Sequence, residues 1–232
     1  SGDVPLGQGA GNLRYDIPML RCIWNVSWPS MVDIMGLWSV HAVGVYFISR
    51  MGAGMLGAHT MVIRLESVSF MPGFAVGMAA STLTGQYLGA KNPEMAKKAV
   101  RLCWLFAIVA MGGTGLLVSI FNTEFLALFG DPSSEQLQIA APVIRVVGLM
   151  QAVNATMMVM KMSMRGAGDT RTVTVYSFIS MGLIRVGLLW ALMKWFDLSL
   201  LGIWLVMMVD VVVQCIIFVK LHLKGDWLKR EV

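Results

Sequence analysis

Apolar positions fill six long stretches of this chain, roughly Ile23–Ser49, Met55–Leu88, Leu102–Phe121, Leu137–Met160, Val173–Trp195 and Leu198–Val219, with short polar segments between them. A hydrocarbon layer about 30 Å thick requires about 20 mostly apolar residues per helical span, and each stretch is long enough. A soluble bundle would carry a polar stripe at helical spacing on each helix; these stretches are apolar nearly all round. The pattern predicts an all-α polytopic membrane protein in which six transmembrane helices form one lobe over residues 23–222. A flexible cytoplasmic linker or tail is expected over 1–22, where SGDVPLGQGAGNL is rich in glycine, and a cytoplasmic tail over 223–232.

Composition agrees, with 57% hydrophobic residues and a mean hydropathy of +0.71. Alternating the six spans across a bilayer places thirteen of the 18 Lys and Arg on the side of the termini and two, Arg50 and Lys194, on the other. That asymmetry follows the positive-inside rule and predicts cytoplasmic termini. It also accounts for a pI near 9.3 without nucleic acid, since the bases lie in short loops beside an anionic leaflet. Cys22, Cys103 and Cys215 are scattered, without the spacing of a disulfide framework or a metal site. Residues 1–22 lack the apolar core of a signal peptide, and a start at Ser1 is expected of a processed, truncated or internally numbered product.

Two loop motifs carry more information. In GQYLGAKNPEMAKKAV, Gly85–Val100, the glycines suit close packing and a helix stop, and Asn92-Pro93 suits a turn into the next helix. In MRGAGDTR, Met164–Arg171, two glycines break the helix, Asp169 or Thr170 can cap the next, and Arg165 is placed to pair with Asp169. Together with Trp28-Pro29, the RMGAGMLGAHTMVIRLESVSFMPGFAVGMAAS run at Arg50–Ser81 and LFGDP at Leu128–Pro132, they resemble the half-motif of the multidrug and toxic compound extrusion (MATE) transporters. The resemblance covers about Leu20 to Val219 and is closer to the C-terminal lobe. It implies one six-helix lobe of a twelve-span antiporter of the bacterial inner membrane that exports amphipathic or cationic compounds in exchange for Na⁺ or H⁺. No other cofactor and no metal site is expected. The implied partners are membrane lipid, a small amphipathic substrate, and a second lobe, a second copy or other membrane subunits.

Ionisable side chains inside spans are functional candidates because burying them is costly unless they are paired or solvated. Asp33 lies one turn after Pro29 and is the leading coupling-ion candidate, the alternative being an ion pair with Arg64, Arg145 or Arg185. Glu66 is the second coupling candidate; lying two residues from Arg64, it must serve a different neighbour. Asp210 and Gln214 share a face at i, i+4 and suit interhelical hydrogen bonds. Arg64, Arg145, Arg185 and Asp210 are structural ion-pair candidates, His41 is a packing residue, and Asn25, Gln151 and Asn154 are the expected substrate lining. Met157, Met158, Met160, Met162 and Met164 spread round their helix and read as packing.

The chain departs from the family where one bacterial subgroup is acidic. The corresponding positions fall at Asn154 and near Leu37 in this lobe, and the half-motif's acidic position in the other lobe corresponds to a site near Gly44; all three are uncharged. An asparagine cannot exchange a proton. The departure leaves open a structural or accessory membrane subunit that keeps the fold without transport, and the three intramembrane arginines leave open a lipid-linked precursor flippase. The short loops hold no nucleophile–base pair or phosphate loop, so an enzyme is not expected.

Overall fold

The computed structural model describes residues 17–128, 134–196 and 198–229. The first sixteen residues of the expected linker and most of LFGDP lie outside them. The described residues form six helical spans, each long and apolar enough to cross a membrane. α1 is Ile17–Ser49 and α2 is Ala53–Gly89. The third span joins α3, Pro93–Ala107, through a π-helical stretch at Ile108–Gly112 to α4, Gly113–Ile120. After the short α5, Asn122–Ala127, comes α6, Glu135–Gly166. The fifth span joins α7, Thr170–Ser180, through a π-helical stretch at Met181–Leu188 to α8, Leu189–Trp195; α9 is Leu200–Lys224.

The helix boundaries follow local chemistry. Asn92 caps α3, its Oδ1 accepting the Met95 N–H at 3.1 Å, and Pro93 fills the first turn, where a missing amide hydrogen costs nothing. Between α6 and α7, Gly168 takes φ +80°. Asp169 stands at the N-cap of α7, but its side chain makes no capping bond to that helix. Several ends differ from expectation, two of them with consequences for the site. α1 begins at Ile17, so six residues assigned to the linker are helical. α6 runs on to Gly166 instead of ending near Met160, because nothing in Lys161–Arg165 breaks a helix.

α6 is the axis of the fold, with α2 and α9 packed along it and the third span lying against the outer side of α2 and α6. α1 packs on α7 and the edge of α2, and the fifth span packs on α9. The first, second, fourth, sixth and fifth spans therefore close a five-helix ring. Small residues bring α2 and α6 together. A Cβ on Gly166 would fall 2.1 Å from the Ser81 carbonyl oxygen, an approach that only glycine permits.

Two apolar clusters stack along the ring. One contains Leu65, Leu126, Leu137, Ile144, Leu200 and Trp204, and the other Val100, Met111, Met160, Met164, Phe218 and Trp227. The methionines of α6 pack as expected: Met158 and Met162 bracket Gly77 of α2. The outer surface bears large apolar side chains such as Leu102, Phe106, Val109, Leu183 and Trp190, which suit contact with lipid.

Candidate functional site: a charge-balanced helix ring

The ring encloses its ionisable side chains in two groups. Asp33 of α1, only 3% exposed, faces α6, where Lys161 Nζ stands 3.2 Å from Oδ2 and Arg165 donates to the same oxygen. Lys161 also lies over the Phe218 ring of α9 at 5.8 Å. One turn earlier, the Pro29 carbonyl accepts a bond from Thr174 Oγ1 of α7 at 2.9 Å. Asp33 thus ties the first span to the fourth while Pro29 ties it to the fifth.

Asp210 of α9 is fully buried and carries the second group. Gln214 Nε2 donates to both of its carboxylate oxygens at 3.1 Å, Ser180 Oγ donates to Oδ1, and Arg185 Nε stands 3.0 Å from Oδ2. Ser180 immediately precedes the π-helical stretch of the fifth span and Arg185 lies within it. A π turn holds an extra residue and rotates the rest of the helix relative to regular α winding. Here it puts Ser180 and Arg185, five apart, onto the same carboxylate.

Next to Arg185 are two histidines. His59 Nδ1 accepts from Trp204 Nε1 at 3.2 Å, and the His41 ring lies 6.1 Å from His59. A cavity of about 30 Å³ lies among His41, Gly44, His59, Arg185, Ile203 and Met207, room for one or two waters. The buried side-chain atoms left without a hydrogen bond among the described residues include Asp33 Oδ1, His59 Nε2, Arg165 Nε and Arg185 Nε.

Glu66 is half-buried and lies seven residues after His59, on the same stripe of α2. Among the described residues it makes no ion pair or hydrogen bond of its own. The ring set is therefore three bases, Lys161, Arg165 and Arg185, against three acids, Asp33, Asp210 and Glu66. Two of the acids are directly paired and one is not.

Several expectations need correction. Asp33 pairs with none of Arg64, Arg145 and Arg185; the continuation of α6 brings Lys161 and Arg165 to its level instead. For the same reason Arg165 reaches Asp33. Arg64 and Arg145 are exposed and make no ion pair among the described residues, while Arg185 and Asp210 do pair. Of the expected lining residues, Asn25 is exposed on α1, at a position open to a second lobe. Gln151 is 2% exposed and faces α4, where a Cβ on Gly115 would meet it at 2.7 Å, so it is sealed between the third and fourth spans. Asn154 is half-buried and sits seven residues before Lys161, on the stripe that faces the ring. Sequence reasoning missed Lys161 and Ser180 and gave Arg165 the partner Asp169, where the structure pairs it with Asp33. The signal was present in the stripe Asn154, Met158, Lys161, Arg165, which continues one helix face past the apolar stretch.

Six spans, five of them closed around a buried ionic interior, define a polytopic helical membrane protein built as a single lobe. The MatE family model matches residues 29–191, and the chain belongs to that family. It is similar to a probable multidrug resistance protein NorM of Thermotoga maritima, at 28% identity over 90% of this chain and 45% of that protein. It is also similar to one of Brucella suis, at 24% identity over 83% of this chain and 42% of the relative. Among solved structures, a Vibrio cholerae MATE transporter variant shares the fold with TM-score 0.83 at 16% identity, covering 96% of this chain and 51% of that one. A Pyrococcus furiosus transporter of the MOP superfamily matches with TM-score 0.80 at 16% identity, covering 89% of this chain and 45% of that one. The chain spans about half the length of the curated relatives it matches.

Proposed function

We propose that this chain supplies one six-helix lobe, of the C-terminal type, to a secondary antiporter that exports amphipathic or cationic compounds in exchange for H⁺ or Na⁺. The reading places it in a bacterial inner membrane with both termini cytoplasmic. Transporters built from repeats form the substrate path where the halves meet and alternate access by rocking one half against the other. A lobe that rocks as a unit needs a tied interior, and the Asp33 and Asp210 pairs supply the ties.

The observation that carries the reading is Glu66, a carboxylate in the ring without a direct partner while Arg185 is held by Asp210. Binding of H⁺ or Na⁺ at Glu66 changes the charge beside Arg185 and shifts how that arginine is shared between α2 and α9. Asp33, with Lys161 and Arg165 on one oxygen, is the second coupling candidate and has to release a base before it can take a cation.

The test is uptake of a fluorescent organic cation into proteoliposomes holding the protein as it occurs in its membrane, under an imposed H⁺ or Na⁺ gradient. Glu66→Gln is expected to reduce gradient-driven transport at least tenfold at unchanged protein yield. Full gradient-driven transport by that variant removes Glu66 from the mechanism. An inactive parent protein that extracts in fixed stoichiometry with unrelated subunits replaces the transporter with the accessory-subunit reading.

A further inference from the structure

Outside the ring, a cavity opens at the end of the fold that carries the basic loops, between the third and sixth spans. It has a volume of about 660 Å³, within the range of about 300–1,000 Å³ common for ligand pockets. Both walls are built structure. On one side, Lys97, Arg101 and Trp104 follow at i, i+4 and i+7 along the lining face of α3. On the other, α9 ends at Gly225, whose φ of +74° reverses the chain. The reversal brings Trp227 back onto the helix, where it is 1% exposed, donates from Nε1 to the His222 carbonyl at 2.9 Å, and stacks on the His222 ring at 4.6 Å. The expected C-terminal tail is therefore a fixed wall at its start.

The charges in this cavity are lopsided. Lys97, Arg101 and Lys224 line it against a single carboxylate, Glu94, which Lys97 engages at 2.9 Å. Arg101 and Lys224 have no ion-pair or hydrogen-bond partner among the described residues. Below them the lining turns apolar, with Trp104, Trp227 and Leu228. Immediately after Arg101 the third span presents Leu102, Phe106 and Val109, 68%, 68% and 73% exposed, to the surroundings. Unpaired cations thus stand at one end of an apolar span, and an apolar surface continues from them along the helix, an arrangement that suits a phosphate joined to acyl chains.

We infer that this cavity binds an anionic phospholipid, with Arg101 and Lys224 holding its phosphate, Lys97 at the rim, and its acyl chains against Trp104 and the exposed face of the third span. Basic pockets between spans are suited to anionic headgroups. A free phosphate would satisfy the cations and leave the apolar wall unused, so the lipid is the better fit. The inference is independent of the transport reading.

Native mass spectrometry of the gently extracted protein, titrated with phosphatidylglycerol or phosphatidylcholine, tests it. Phosphatidylglycerol is expected to bind selectively, and Arg101→Gln with Lys224→Gln to weaken it about thirtyfold, about fivefold for each cation near a membrane surface. Lys98→Gln with Lys220→Gln removes the same charge from exposed positions outside the cavity and is expected to leave binding unchanged. Equal binding of phosphatidylcholine, equal loss in the control pair, or displacement of the lipid by low-millimolar inorganic phosphate overturns the assignment. A photoactivatable phosphatidylglycerol on the unaltered protein provides a readout that no variant's folding can affect. Labelling of the segments 93–104 and 221–229 is expected, and labelling spread over the whole lipid-facing surface rejects the site.

Discussion

Gly166 shows how far a single side chain sets the packing of this lobe. Its residue type was legible as a helix breaker, and α6 does end there, but its other role is visible only in three dimensions. It lets the Ser81 backbone of α2 press against α6. Gly166→Ala puts a methyl group into that contact and must push two helices apart, at an expected cost of about 1–3 kcal/mol. Gly89→Ala, at a glycine with nothing within 4 Å of its Cβ position, is expected to change stability by less than about 1 kcal/mol. The midpoints of denaturant unfolding in mild detergent separate the two; equal midpoints would mean that the close approach is not required. The same limit explains the candidate lining. Asn25, Gln151 and Asn154 are all polar residues within apolar surroundings, and composition ranked them alike. Helix phase separates them: one is exposed, one is sealed against α4, and one lies on the ring stripe.

At the scale of the element, the spans were readable because hydrocarbon thickness dictates their length. Their polar contents were less readable, because pairing depends on where a helix ends and on how it is wound. Lys161 and Arg165 follow the apolar stretch that ends at Met160 and so resemble loop residues, yet α6 carries both on to Gly166. Arg185 and Ser180 cannot be placed together by a 3.6-residue count, since a π turn sets their relation. The fifth span therefore depends on Asp210 to hold its irregular winding. Removing one member of a buried ion pair strands the other at a cost of about 3–5 kcal/mol, whereas replacing both with uncharged groups is far milder. Asp210→Asn is accordingly expected to be severely destabilising, with Arg185→Met added to it recovering more than half of the loss. A double-mutant cycle on unfolding free energies measures that coupling. Simple additivity of the two substitutions would show that Arg185 finds its stability elsewhere, with Glu66 the nearest candidate.

For the molecule as a whole, the ring explains how half of a relative's length forms a closed unit. Its paired charges face one another across the interior and the described surface is rich in large apolar side chains, while among the described residues Glu66, Asp33 Oδ1 and His59 Nε2 keep no partner of their own. Folding and transport consequently make different demands. Folding needs the five-helix ring and the third span against it, whereas a path for a substrate needs a second surface on which this lobe can rock; the cavity beside His41 and His59 has room for one or two waters. The transporter reading therefore requires more than one lobe in the native membrane. Native mass spectrometry of the gently solubilised protein is expected to find either twice the 25.4 kDa of this chain or one longer polypeptide that contains it. A lone chain at 25.4 kDa that still drives exchange would place the substrate path within a single ring and force Asp33, Glu66 or Asp210 to open during the cycle. One copy bound among unrelated subunits would make the same ion pairs purely structural, which is the outcome that D210N and E66Q then distinguish: stability lost in the first, nothing measurable lost in the second.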